Sequence, residues 1–254
     1  MTASSKRSLK VSLTAMFTAL TTVTTISFSI YVPATKGYFN LGEVMVYTTA
    51  ILLGPFIGAV AGGVGSMLAD VILGYYIYAP GTLIIKGIEG FIVGLLVQKF
   101  KIKGWSLKAM SIALPAFTSL TLGIIGSTVY TGFTEAYLGS LILARGELTT
   151  IIWTALAFLV FIAMAAFSLK VEPSLTMYAI SIFIGGGEMV LGYYLYESLV
   201  LGYYALAEVP VNIGQMIIGL IAALPLIKTL SRVRVFAELK LPSEETRTRS
   251  ESSK

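Results

Sequence analysis

Long uncharged stretches alternate along this chain with short clusters of charge, Gly and Pro, and the stretches have the length a bilayer demands, roughly 20 mainly apolar residues. Eight of them stand out: Leu9 to Tyr31, Leu41 to Leu53, Phe56 to Tyr76, Thr82 to Gln98, Leu107 to Thr131, Thr149 to Leu169, Leu175 to Leu199 and Val209 to Leu230. Breaks are expected at Pro33, Gly54-Pro55, Pro80-Gly81, Gly104, Gly146, Pro173 and Pro210, where the backbone loses a donor or gains freedom. The pattern predicts an all-α membrane protein, a polytopic helical bundle of about eight transmembrane helices. Its expected organisation is a cytoplasmic N-terminus over residues 1–8, a transmembrane domain over 9–230 and a mobile cytoplasmic tail over 231–254, rich in Ser, Glu and Arg. A cleaved leader is the plainer reading of the first stretch, but that stretch is long, rich in Thr and without a clear cleavage site.

The basic residues orient the bundle. With all eight stretches crossing and the N-terminus inside, only Lys36 and Arg145 fall in outer loops, while Lys6, Arg7, Lys10, Lys99, Lys101, Lys103, Lys108, Lys170, Lys228 and the basic residues of the tail fall inside. This is the asymmetry of a chain with both termini cytoplasmic. The second stretch, about 13 residues or some 20 Å, is too short to cross about 30 Å of hydrocarbon, so its start, with Glu43, should sit recessed.

Polar residues inside the stretches gather in the outer half. Glu43, Asp70, Lys86, Glu89, Asn212 and Gln215 lie there, with Glu188 and Glu197 at the middle and outer end of the seventh stretch. Each would be costly to bury alone, so they are expected to face one another or a water-filled cavity that opens outward. Asp70 to Tyr78 and Glu188 to Tyr196 align without a gap around a shared Leu-Gly-Tyr-Tyr, and Leu201 to Tyr204 repeats it, which suggests a parallel duplication of a helical hairpin. The tyrosines read either as an interfacial belt or as ligand-stacking groups. Gly58, Gly62, Ser66 and Asp70 recur every four residues and allow close helix approach; Ala15 and Ala19 form a second small-residue pair, open to internal packing or to an external helix.

Composition narrows the chemistry. Hydrophobic residues make up 56% and charged ones 12%, far from the ~25% charge of soluble domains. The chain has no Cys and no His, which excludes disulfides, thiolate or imidazole metal sites, Ser-His triads and His proton relays. No GxxxxGK[ST] phosphate loop occurs, so ATP-driven work requires another chain. The net charge of +5 reports topology rather than nucleic-acid binding.

Five segments resemble a known family when taken in order: Gly37 to Val46, Leu53 to Gly58, Gly65 to Asp70, Ala79 to Gly90 and Val209 to Gln215. Together they resemble the substrate-capture subunits, or S components, of energy-coupling factor (ECF) vitamin transporters of the riboflavin-type group. The resemblance implies a six-helix core carrying an inserted hairpin at about 106–169, and a ligand pocket closed by the loop Pro33 to Asn40. It implies as partners a transmembrane coupling subunit docking on Ala15 and Ala19 and two cytoplasmic ATPases. Glu43 stands where Asp is the more usual residue.

The site expected from residues and resemblance together comprises Asn40, Glu43, Asp70, Tyr75, Lys86, Glu89, Glu188, Tyr194, Asn212 and Gln215, with no catalytic residue, metal or cofactor. Tyr75, Tyr76, Tyr194 and Phe39 would stack on a flat ligand while Lys86 and the acids and amides fix its polar edge. The expected function is capture of a small water-soluble vitamin or precursor, riboflavin ahead of a pyrimidine or pyridoxine type. The alternative is an autonomous proton- or sodium-coupled carrier using Asp70, Glu89 and Glu188. An intramembrane enzyme built on Lys86 and an acid is the third reading.

Overall fold

A computed structural model describes residues 3–32, 37–100, 104–138, 141–170, 173–200, 202, 205–233 and 236. Among these residues eight helices follow one another: α1 (Ala3–Ser27), α2 (Glu43–Leu53), α3 (Pro55–Leu73), α4 (Ala79–Lys99), α5 (Gly104–Val129), α6 (Thr150–Lys170), α7 (Pro173–Val200) and α8 (Ala205–Leu230). Six are long and apolar enough to cross a membrane, the shorter two being α2 and α6, the latter read over Thr150–Ala166. The chain is a multi-pass membrane protein built as a helical bundle. Pro33, Lys36 and nearly all of the tail expected beyond Ser231 lie outside the described residues.

Two β-hairpins depart from the all-helical expectation. The first pairs β1 (Ser29–Val32) with β2 (Gly37–Asn40) in the register Ser29↔Asn40 to Val32↔Gly37. The stretch read as helical to Tyr31 therefore ends at Ser27, and β-branched and aromatic residues continue it as a strand. The second hairpin, β3 (Gly132–Leu138) with β4 (Leu141–Leu148), joins α5 to α6 and takes in Gly146, which was expected to be a break.

Proline positions supply the other corrections. Pro210 does not precede the last helix; α8 starts five residues earlier, and Pro210 and Pro225 both lie within it. Pro210, the sixth residue of α8, forgoes the bond its N–H would make to the Leu206 carbonyl, a loss that helices in a membrane bundle tolerate. Pro80 likewise sits in the first turn of α4 rather than before it.

α2 is the centre. Nine of its eleven residues are buried, and α3, α4 and α8 surround it. Gly219 of α8 permits that approach, because a Cβ there would stand 2.9 Å from the Tyr47 ring and closer still to Glu43. The small-residue stripe of α3 faces α4 and α2: a Cβ on Gly62 would come within 2.7 Å of the Lys86 carbonyl oxygen, and one on Gly58 within 2.8 Å of Ala50. Gly62→Val should consequently lower thermal stability by about 1–3 kcal/mol. Gly187→Ala, where nothing lies within 4 Å of the added methyl, should be neutral or mildly stabilising. Equal effects in thermal unfolding would refute close α3–α4 packing.

The two aligned Tyr-rich segments are not equivalent. Gly74 takes φ +86 and ends α3, so Tyr75 to Tyr78 form a turn, whereas Leu191 to Tyr196 run on as helix inside α7. Ala15 and Ala19 are both exposed on α1, in a face that also uncovers Val11, Met16, Leu20 and Val23.

Candidate substrate-binding site

Each element brings polar groups to one cavity through its own period. On α3, Ser66 and Asp70 are four apart; on α4, Thr82 and Lys86; on α7, Tyr193 and Glu197; on α8, Glu208, Asn212 and Gln215 follow at four and three. These spacings place each set on one helix face. On β2, Tyr38 and Asn40 alternate with Phe39 and so point the same way. With Thr25 of α1 these residues line a cavity of about 40 Å³, space for a few water molecules.

An ionic cluster forms its inner wall. Lys86 donates to Glu43 Oε1 and, at 3.2 Å, to Glu89 Oε2, and all three residues are at most 4% exposed. Tyr47 donates to Glu89 Oε1 at 2.9 Å. The Lys86 ammonium stands 5.5 Å from the Tyr193 ring centroid, and Tyr193 in turn donates to Thr82 at 2.9 Å. Glu43 and Glu89 thus brace the lysine from behind rather than line the cavity.

The hairpin closes the opposite side. Tyr38 donates to Asp70 Oδ1 at 2.6 Å, and its ring lies 4.5 Å from that of Tyr75 at a tilt of 31°. Burial, reinforced by the Asp70 charge, pushes the Tyr38 hydroxyl well above its ordinary range, so it keeps the proton it donates. The Asn40 N–H donates to Gln215 Oε1 at 3.0 Å, and Gln215 Nε2 to Asn212 Oδ1 at 2.8 Å, tying the hairpin to α8. Asn40 Oδ1 also accepts from Gly42 N at 2.8 Å, and a Cβ on residue 42 would collide with Thr25 and Asn40.

Tyr38→Phe should keep the stack on Tyr75 but strip Asp70 of one of its hydroxyl donors, Thr82 being the other. We expect about 1–3 kcal/mol lower stability and faster amide exchange over residues 29–40, with Asp70→Asn in the same chain recovering part of the loss. Unchanged exchange would show that this bond does not hold the hairpin.

Of the ten expected site residues, Asn40, Asp70, Lys86, Asn212 and Gln215 line the cavity. Tyr75 is off the lining and packs behind two residues that belong to it, Tyr38 and Tyr78. Glu188 is half-buried, with Oε2 lacking a hydrogen-bond partner among the described residues, and lies near Glu89 and Lys86 but off the lining. Tyr194 is also off the lining; its neighbour Tyr193 takes the place, since one step along a helix turns a side chain by about 100°. Tyr76 is 69% exposed and Phe39 packs against Phe28, so neither reaches the cavity. Thr25, Gly37, Tyr38, Ser66, Tyr78, Thr82, Tyr193, Glu197 and Glu208 complete the lining beyond the expected set. Glu208 was legible as the residue four before Asn212, but the expected break at Pro210 put it outside the helix.

The sequence model of the ECF-type riboflavin transporter S component family matches residues 6–170. The chain belongs to this family. It is a family of transport subunits, not of enzymes. A protein of Pyrococcus woesei described as an uncharacterized protein in a gap 3' region is 56% identical over 73 residues, 29% of this chain and 49% of that protein. The thiamine precursor transporter HmpT of Lactococcus lactis subsp. cremoris (strain MG1363) is 35% identical over 92 residues, 36% of this chain and 55% of that one. The chain thus spans about half the length of these curated relatives. No solved structure is significantly similar to it. The family match ends with α6, whereas this S component takes a large part of its cavity wall from α7 and α8.

Proposed function

We propose that this S component captures a small water-soluble vitamin or vitamin precursor at the outer face of the membrane and delivers it inward with a transmembrane coupling subunit and two cytoplasmic ATPases. The observation that carries the reading is the polar cavity between the β1–β2 hairpin and the outer half of the bundle, fed by α1, α3, α4, α7 and α8. The small volume favours a one-ring, pyrimidine-type ligand, in keeping with the thiamine precursor transporter among the relatives. Riboflavin is the second reading, favoured by the family description.

Both termini are assigned to the cytoplasm on the asymmetry of the basic residues. The segment from α5 to α6 is read as an insertion, a reading supported by its contributing no side chain to the cavity among the described residues. Ala15 and Ala19 are assigned to docking of the coupling subunit, since their exposure leaves them free to receive another helix.

Uptake by vesicles tests the reading. The chain alone should bind without accumulating ligand, and accumulation should require the coupling subunit and ATP. Accumulation by the chain alone under a proton or sodium gradient would establish the alternative carrier, with Asp70, Glu89 and Glu188 as its candidate ion sites.

A further inference from the structure

A second hollow lies apart from the polar cavity, between α6, α7 and the second half of α8, and measures about 400 Å³. Along α8 it follows Leu220, Leu224 and Lys228, four residues apart each time, so it runs with the helix for about 12 Å and ends at the lysine. Met164, Leu220 and Leu224 are buried in its floor, while Ala163 and Ile221 are exposed at its rim, which leaves it open sideways to the bilayer. It marks a seam in the bundle: α6 packs along α5, and α5 rather than α6 makes the main contacts with α7 and α8. Apolar walls offer water no partners, so a hollow of this kind stays dry, and standing empty it would forfeit the packing of the side chains around it. A bilayer surrounds it with hydrocarbon tails.

Charge decides which lipid fits. Lys228 is the one charged side chain among the described residues that line the hollow; it is exposed, and among the described residues it forms no ion pair. Arg232, four residues on in the turn that follows α8, adds a second exposed cation at the same end. On the orientation assigned above, that end meets the cytoplasmic leaflet, whose anionic headgroups attract basic side chains. We propose that the groove holds one anionic membrane lipid, with a hydrocarbon tail lying along α8 and the phosphate on Lys228, and that this lipid joins the α5–α6 segment to α7 and α8. The plainer reading, Lys228 as an interfacial anchor with no choice of headgroup, leaves the hollow beneath it unfilled.

The test is lipid retention by the full chain. Protein reconstituted in vesicles of equal parts phosphatidylglycerol and phosphatidylcholine with identical tails is extracted in mild detergent, and the lipid that stays bound is identified by native mass spectrometry. Phosphatidylglycerol should remain on the parent chain, enriched several-fold over phosphatidylcholine. Added phosphatidylglycerol should also raise the thermal midpoint of the parent more than phosphatidylcholine does, because it binds the folded state. Ala163→Trp, which fills the groove from its exposed rim, should lose both the retained lipid and the difference in midpoint. Lys228→Gln should keep a lipid but lower the preference for phosphatidylglycerol by about fivefold, the contribution typical of one basic side chain near an anionic surface.

Equal retention of the two lipids by the parent, or retention of neither, would overturn the site. Undiminished phosphatidylglycerol on Ala163→Trp would overturn it as well, by placing the lipid on basic residues outside the groove. An unchanged preference in Lys228→Gln would overturn the contact with that lysine. Ile221→Trp fills the groove from the opposite rim and gives the same decision where Ala163→Trp fails to fold.

Discussion

Lys86→Met should cost the folded state about 3–5 kcal/mol, the loss expected when one partner of a buried ion pair is removed and the other stays behind. Read from sequence, Lys86 is a residue that fixes the polar edge of a ligand. Its partners change that expectation, because Glu43 and Glu89 are 1% and 0% exposed and both hold the ammonium. Without it, two carboxylates face each other at the centre of the bundle, with Glu43 Oε2 already unpartnered. Neutralising Glu43 in the same chain, as Lys86→Met/Glu43→Gln, should recover part of the loss, since it removes the stranded charge. Thermal unfolding of the two variants beside the parent protein measures both terms. A single variant as stable as the parent would show that these carboxyls are protonated in the native state and that the lysine does not hold them.

The second large effect is on transport rather than on folding. Ala15→Trp/Ala19→Trp should leave thermal stability and ligand affinity close to those of the parent and abolish ATP-dependent uptake. Both positions are exposed on α1 and neither lines the cavity, so bulk added there meets no neighbour within the chain; it obstructs only a helix arriving from outside. Internal packing was the competing explanation for this pair, and it predicts that stability and affinity fall together. Uptake at the parental rate by a stably inserted double variant would remove this face from docking.

The bundle was legible because a bilayer imposes one length scale and one period, and the spans announce themselves as uncharged stretches. Boundaries at proline were read less well. Pro210 looks like a stop by its own chemistry, yet it lies inside α8 as its sixth residue, where it removes one backbone bond without ending the helix. That one misplacement hid Glu208. The hairpin of β1 and β2 was hidden for a different reason. Ser29 to Val32 is as apolar as the helix before it, and hydropathy does not separate a strand from a continuing span over four residues.

The candidate site was half legible. Asp70, Lys86, Asn212 and Gln215 stand out because polar groups in apolar helices are rare and must face something. Spacing alone could not divide lining from support: Lys86 and Glu89 lie three apart on one helix, yet one meets the cavity and the other braces it from behind. Which of two adjacent tyrosines, 193 or 194, turns inward depends on the rotational setting of α7 against α4, a property of packing rather than of composition. The Tyr repeat misled for a related reason, since Gly74 leaves the helical region in the first copy and the second copy stays helical.

The burial of α2 has a consequence for the order in which the protein is made. Its eleven residues rise only about 16 Å, too short and too polar at the Glu43 end to partition into lipid on their own. It must therefore enter the membrane together with α3, to which Gly54 and Pro55 join it directly. One of its main neighbours, α8, leaves the ribosome after all the other described helices. Until α8 arrives, a nascent chain exposes Glu43, Tyr47 and the adjoining α2 surface. Chains truncated after α7 are thus expected to be substrates for membrane quality control, and the centre of the bundle is completed only after the other described helices have been made.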